Sequence, residues 1–444
     1  MTNVAVISLG CDKNRIDTEH MLYSLSRGGY SICDVQDADV IIINTCAFIS
    51  SARQESIDVI LSCAELKKTG RLKKLIVTGC LPQKHEKELS GLIPEVDAFL
   101  GAFEYGRLID VIEGRLGEKA EDDFETAENG KRMLTTYPHT AYIKIAEGCD
   151  NHCTFCTIPS IRGKYRSRKT EDIVKEARSL VSDGVEEIIL VAQDVTRYGE
   201  DRGENKLIEL LSALETLPVK YIRLLYCYPE RVTDELIDKI ASSDKIASYI
   251  DIPVQHVSDP VLKLMNRRTT GEKIGELVDK LHSRGIVVRT TLMVGFPGES
   301  EDDFNKLVAF VEKHSPEYAG VFAYSKEDGT AAARLPGHIK KSDKLKRVKR
   351  LGKACAESTA RYNASLVGKM IDVLYEDADF EKNLFVGRAP TQSPDVDGRV
   401  MFTARSADVG RIYKVKIDSC DEYDLYGHAV SCTEGDSSAD EFTE

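Results

Sequence analysis

Three cysteines with unequal spacing, Cys149, Cys153 and Cys156, stand in the run Glu147-Gly-Cys-Asp-Asn-His-Cys-Thr-Phe-Cys156. Iron-sulfur clusters are ordinarily held by four thiolates, so a compact set of three leaves one iron open to a substrate, a cofactor or a distant side chain. An open iron is a place where chemistry can be done. Two plainer readings compete: a zinc site with His152 as the local fourth ligand, and three ordinary buried cysteines.

A second set is spread along the first hundred residues. Apolar strand-like runs at 4–9, 40–44 and 75–78 are each followed closely by a cysteine, Cys11, Cys46 and Cys80, with helical stretches such as 50–68 between them. Alternation of this kind predicts a parallel sheet covered by helices, in which ligands bind beyond the carboxyl ends of the strands. Three cysteines remote in sequence then converge on one edge, with Gly10 and Gly79 permitting close backbone approach. Coincidence is the competing reading, because Cys33 and Cys63 fall in the same segment without such placement.

The elements around the compact motif repeat a strand-helix unit. Strands are expected at 141–145, 187–191, 221–226, 249–252, 287–294 and 320–324, with helices such as 170–183 and 271–284 between them. Six units suggest an incomplete parallel barrel, and catalytic groups sit at the carboxyl ends of barrel strands. The cysteine loop follows the first strand. Other strand ends carry Gln193-Asp194, Glu230-Arg231, Gln255-His256 and Gly295-Phe-Pro-Gly-Glu299, of which Gln193, Gln255, Gly295 and Glu299 are candidates to line a cofactor cavity. Residues 295–298 are equally compatible with a Pro-Gly turn before a helix that starts near Ser300, with Asp303 completing a capping box. After Lys349 a helical stretch leads into short alternating runs at 370–374, 384–388, 399–403 and 412–417, the pattern of a small β-barrel.

With 444 residues the chain is too long for one ordinary core. The N terminus does not read as a signal peptide, and no apolar run approaches the ~20 residues of a membrane span. Twelve cysteines without an export signal read as reduced thiols and metal ligands, which makes the cytoplasm the expected compartment. A formal charge of −13 disfavours the chain as an electrostatic nucleic-acid binder, so a macromolecular partner is expected to be basic. The basic run 162–169 is the local exception, either a contact for phosphate or an anionic substrate, or a solvated loop. Cys33, Cys63, Cys227, Cys355, Cys420 and Cys432 carry no motif and read as structural.

The spacing Cys-x3-Cys-x2-Cys, with Phe155 before the last cysteine, resembles the signature of the radical S-adenosylmethionine enzymes. That resemblance implies a 4Fe-4S cluster on Cys149, Cys153 and Cys156 whose open iron chelates the methionine part of S-adenosylmethionine, with Phe155 beside the cofactor. One electron then opens the sulfonium and releases a 5'-deoxyadenosyl radical. The strings Ser8-Leu-Gly-Cys-Asp-Lys-Asn14, Asn44-Thr-Cys46 and Thr78-Gly-Cys80 resemble the N-terminal domain of the methylthiotransferases. There the resemblance implies a second 4Fe-4S cluster, on Cys11, Cys46 and Cys80, used in sulfur delivery. The segment 418–427 resembles the close of a TRAM domain, an accessory barrel that commonly binds RNA; here it is more acidic than basic.

The expected fold is α/β: an N-terminal parallel-sheet cluster domain at 1–116, an acidic linker at 117–135, a partial (βα)6 radical domain at 136–366, a TRAM barrel at 367–432 and an acidic disordered tail at 433–444. Two branches of the methylthiotransferases are candidates. One modifies an adenosine beside the anticodon of tRNA; the other places a methylthio group on an aspartate of small-subunit ribosomal protein S-twelve, free or on the ribosome. The phrases at 158–168, 251–256, 289–295 and 320–325 resemble the second, and a basic protein substrate suits an acidic barrel. An electron donor and a sulfur source are further implied partners. A two-cluster iron-sulfur protein without turnover is the alternative of a different class.

Overall fold

In the computed structural model, which describes residues 2–115 and 131–432, the first hundred residues form a five-stranded parallel sheet. Its strands are β1 (Asn3–Ser8), β2 (Ser31–Ile32), β3 (Val40–Thr45), β4 (Lys74–Gly79) and β5 (Ala98–Leu100), in the order β2-β1-β3-β4-β5. β3 and β4 read as continuous apolar runs because helices cover both faces, and Ile41, Ile42, Ile43, Leu75, Ile76 and Val77 are fully buried. The 2-1-3-4-5 order has its topological switch point between β1 and β3, where such sheets bind ligands. Helices α1 (Asp12–Arg27), α2 (Ser50–Lys68) and α3 (Cys80–Leu92) follow β1, β3 and β4.

The central domain contributes β6 (Thr140–Lys144), the short pair β7 (Ala146–Glu147) and β8 (Arg166–Ser167), then β9 (Glu187–Val191), β10 (Tyr221–Leu224), β11 (Tyr249–Gln255), β12 (Val287–Val294) and β13 (Tyr318–Ala323). The six long strands are parallel and match the sequence expectation within two residues at every end but one, β11 running three residues further, to Gln255. They run as two three-stranded sheets, β6-β9-β10 and β11-β12-β13, joined by a single parallel bridge from Ile222 to Ile246. One face of the strands packs under the helices through residues such as Ile143, Ile188, Leu190 and Leu292. The other face holds Tyr142, Ile189, Val191, Tyr249, Val287 and Tyr318, and Ile16 of α1 packs among them. The N-terminal domain therefore reaches into the hollow of the incomplete barrel through its first helix.

The C-terminal strands β14 (Met370–Asp379), β15 (Leu384–Arg388), β16 (Val400–Thr403), β17 (Ile412–Cys420) and β18 (Leu425–Cys432) close into a barrel of order β14-β15-β16-β18-β17. β18 is the strand the sequence pattern left unassigned. It pairs in parallel with β16 and antiparallel with β17, and its alternation is weak because the inward Gly427 and Ala429 are small. A 26-residue helix, Lys341–Leu366, enters this barrel. It begins well before the expected start after Lys349, because its first turns are a solvated, mostly charged surface where apolar periodicity is thin. Most of the expected linker and the expected acidic tail lie outside the described residues.

Candidate active site

Cys11 stands at the N-cap position of α1, Cys46 follows β3 and Cys80 is the first residue of α3, so the three lie at the carboxyl edge of neighbouring strands. Gly10 and Gly79 have φ of +95° and +98°. A Cβ at Gly10 would stand 2.7 Å from Cys46 Cβ and 3.0 Å from its Sγ, so the glycine allows β1's end to close on that cysteine. Asn14 ties the loops together, its amide donating to the carbonyls of Leu9 (2.9 Å) and Thr45 (3.0 Å). Ser56 fixes Cys46 by bonding both its amide and its carbonyl. Burial, and then the neighbouring Cys11 and Cys80, push the Cys46 thiol up to about 11. A bound metal would reverse that, because thiolate ligands lose their protons on binding.

The loop of the compact motif is stitched shut at its base. β7 and β8 pair Ala146 with Ser167 and Glu147 with Arg166, making 148–165 a closed excursion from the end of β6. At Gly148 (φ +77°) an added Cβ would stand 2.0 Å from the Lys164 carbonyl, so the loop can close only over glycine. Within it the Cys149 amide bonds the Gly163 carbonyl at 3.1 Å and the Cys156 amide bonds the Cys153 carbonyl at 3.0 Å. Amides of Asn151 and Ile158 approach the sulfurs of Cys149 and Cys156 at 3.5 and 3.4 Å, donors suited to thiolates. Burial pushes the Cys149 thiol up to about 11 and the Cys156 thiol up to about 12. Tyr228 places its hydroxyl 3.5 Å from Cys153 Sγ, and Arg267 stacks 3.9 Å from the Tyr228 ring while pairing with Glu230 at 2.9 Å.

The donor set fits iron-sulfur clusters: each triad presents three thiols from fixed backbone. Among the described residues no group of three or more His, Cys, Asp or Glu is gathered tightly enough for a single metal ion. A four-iron cluster is held at separate corners, so its thiolates need not meet at a point.

The remaining candidates divide. Gln193 donates to Glu147 at 2.7 Å while its carbonyl oxygen is buried without a partner among the described residues. Gln255 ends β11 in the left-handed region (φ +70°). Phe155 meets Phe296 edge-on at 6.4 Å, against an apolar group of Val261, Met265 and Tyr324. Gly295 has φ +75° with Lys344 packed on its open side. Glu299 is directed back into its own turn: it accepts the Gly295 and Phe296 amides at 2.6 and 3.0 Å and pairs with Arg347 at 2.6 Å. The capping box of Ser300 and Asp303 follows as expected. Glu230 and Arg231 are engaged in ion pairs with Arg267 and Glu200.

Sequence reasoning missed a buried group between the triads. Lys144 and Arg162 of the central domain meet Glu147 and, across the domain boundary, Asp17 of α1: Lys144 at 2.9 and 2.5 Å, Arg162 at 3.1 and 3.2 Å. Burial raises the Glu147 carboxyl, but Arg162 and Lys144 outweigh it and hold the group at about 2. Arg162 also donates to Asn14 at 2.6 Å and to Cys80 Sγ at 3.4 Å. The run 162–169 was expected as a solvated or phosphate-binding loop; its first residue is instead 2% exposed.

An incomplete parallel barrel with a three-cysteine loop after its first strand stands beside a second cysteine edge and a closed β-barrel, and comparison with known proteins shows this to be a radical S-adenosylmethionine methylthiotransferase. Three family profiles agree: an uncharacterized protein family, UPF0004, over residues 3–101, the radical SAM superfamily over 143–311 and a TRAM domain over 367–430. The chain is 45% identical to "Ribosomal protein uS12 methylthiotransferase RimO" of Geobacter sulfurreducens, over 96% of this chain and 98% of the relative. It is 46% identical to the protein of the same name from Clostridium botulinum, over 96% and 97%. The chain belongs to the RimO family.

Among solved structures it resembles the radical S-adenosylmethionine methyltransferase TsrM from Kitasatospora setae, which holds cobalamin and a [4Fe-4S] cluster. That match has a TM-score of 0.53 and 15% identity, covering 75% of this chain and 77% of that one. A second match, the cobalamin-dependent radical enzyme OxsB, has a TM-score of 0.51 and 14% identity, covering 80% and 56%. At such identities the likeness is one of fold.

Proposed function

We propose that this chain places a methylthio group on the β-carbon of an aspartate in the small-subunit ribosomal protein uS12. The supporting observation is full-length similarity to relatives named for uS12 methylthiolation, together with both cysteine triads, each at the carboxyl ends of parallel strands. In this reading Cys149, Cys153 and Cys156 hold one cluster and Cys11, Cys46 and Cys80 a second. When bound, the two supply one-electron cleavage of S-adenosylmethionine and an open iron from which sulfur is delivered.

The protein's own part is orientation and exclusion of water. The β7-β8 stitch and the amides of Asn151 and Ile158 hold the compact loop and its sulfurs in place. Gln193, Gln255 and Gly295 line the strand ends where the cofactor sits, Phe155 supplies an apolar wall, and Glu299 acts by fixing the 295–299 turn. The acidic barrel repels phosphate and suits a basic protein substrate. No described helix is long and apolar enough to cross a membrane.

Mass spectrometry tests this reading. Reconstituted protein is incubated anaerobically with S-adenosylmethionine, sulfide, a reductant and, in parallel, uS12 or tRNA. A methylthio mass gain on an aspartate of uS12 is the expected result. Gain on tRNA alone would assign the chain to adenosine modification, and absence of deoxyadenosine would remove the radical mechanism.

A further inference from the structure

Arg162 belongs to the central domain, yet its guanidinium ends against a sulfur of the N-terminal domain. It closes the short helix Ile158–Arg162 inside the loop of Cys149, Cys153 and Cys156. One arm of the fork meets Asp17 and Glu147; the other lies 2.6 Å from Asn14 Oδ1 and 3.4 Å from Cys80 Sγ. The ring of Phe103 lies 5.6 Å from the guanidinium. A cation so enclosed needs carboxylates and acceptors on every side, since burying it costs several kcal/mol otherwise. Asp17 and Glu147 balance Lys144 and Arg162 one for one. The arm on Cys80 is therefore not needed for charge balance, and it places a fixed N–H donor and a positive charge beside one sulfur of the N-terminal triad.

Hydrogen bonds to cluster sulfurs and nearby charge set reduction potentials, because a reduced cluster carries one more negative charge than an oxidised one. We propose that Arg162 is a positioning residue by which the central domain raises the reduction potential of the cluster held at Cys11, Cys46 and Cys80. The proposal rests on the reading that this triad holds a cluster. It makes the potential of the N-terminal centre depend on the seating of the same loop that carries the other three cysteines. Asn14 fixes the geometry, since its carboxamide oxygen takes the same guanidinium arm while its amide clamps the ends of β1 and β3.

The test uses the full chain with Cys149, Cys153 and Cys156 all replaced by Ala, so that only the N-terminal cluster is reconstituted. Its midpoint is read by electron paramagnetic resonance during a redox titration. Arg162→Gln lowers the midpoint, and Arg162→Lys, which keeps the charge but not the fork, lowers it less. Lys144→Met disturbs the same buried group away from Cys80 and moves the midpoint less than Arg162→Gln. Equal midpoints in the parent and Arg162→Gln chains overturn the proposal, as does a larger shift from Lys144→Met. Where Arg162→Gln fails to fold, Arg162→Lys carries the comparison, and a midpoint equal to the parent's overturns the proposal. Iron and sulfide content separates the two levels: a parent chain that binds no iron refutes the cluster reading itself, whereas a loaded chain with an unmoved midpoint refutes only the role of Arg162.

Discussion

Glu327 of the central domain pairs with Arg53 of α2 at 3.0 Å and accepts the Ser50 amide at 2.7 Å, so a carboxylate of one domain caps a helix of another. The helix has no side-chain cap of its own, and Glu327 is 2% exposed. Its charge suits the positive end of the helix dipole. Glu327→Ala leaves Arg53 and the first amides of α2 without these partners, at an expected cost on the order of 3 kcal/mol. Hydrogen exchange is the appropriate measurement, since a chain of several domains does not unfold in one step. Amides at the start of α2 should lose protection while β14–β18 keep theirs; unchanged exchange at Ser50 would refute the latch.

The two triads predict different losses. Cys153→Ala removes a ligand of the proposed cofactor-cleaving centre, and deoxyadenosine formation should fall to background. Cys46→Ala leaves that centre intact, so cofactor cleavage should persist while methylthiolated product disappears. Liquid chromatography of deoxyadenosine alongside mass spectrometry of the substrate reads both. Full methylthiolation by Cys46→Ala would remove the N-terminal triad from sulfur delivery.

Two buried histidines give stability a defined pH dependence. Burial, only partly opposed by Asp303, lowers His256 from 6.5 to about 4, and burial, opposed by Glu176, lowers His20 to about 3. The unfolded chain takes up protons on these rings before the folded chain does, so stability falls as pH drops from 6.5 toward 4 and 3. For His256 the span amounts to on the order of 3 kcal/mol. Glu147 and Glu187, held at about 2 by their arginine and lysine partners despite burial, lose their contribution only between 4.5 and 2. His256→Gln should flatten thermal midpoints of the central domain between pH 6.5 and 4 without altering the lower window. An unchanged slope there would show that His256 is not the group responsible.

The placement of Cys11, Cys46 and Cys80 was legible in the sequence, because a residue just past an apolar run falls at a sheet edge whatever the rest of the chain does. The six strands of the partial barrel were legible for the same reason, each being a short apolar run between polar turns. Arg162 was not, since a basic run after a loop looks solvated and its burial depends on Asp17, 145 residues away. Glu327 was hidden likewise, its helix lying 277 residues distant. β18 escaped because its inward positions Gly427 and Ala429 are small and Val430 faces outward, which blurs the alternation by which strands are recognised.

Among the buried ion groups that fasten the C-terminal barrel to the central domain, one centres on Arg388 and another on Asp397, which pairs with Arg289 at 3.3 Å. Arg388 of β15 bonds Glu187 at the start of β9 at 2.5 Å and Glu376 of β14 at 2.7 Å, and Arg223 of β10 takes the other side of Glu187 at 2.8 Å. Arg388→Met deprives two buried carboxylates of a shared cation, a loss on the order of 3 kcal/mol that falls on the seam between the domains. Protection of β14 and β15 against hydrogen exchange should drop while the N-terminal sheet is unaffected. Deoxyadenosine formation should survive, because the cysteine loop lies at the far ends of the strands. Methylthiolation of a protein substrate should fall if the barrel positions that substrate. Arg388→Lys should rescue little, since an ammonium cannot span Glu187, Glu376 and the Gln392 carbonyl in the plane the guanidinium occupies. Full rescue by lysine would mean that charge alone, and not the fork, holds the barrel in place.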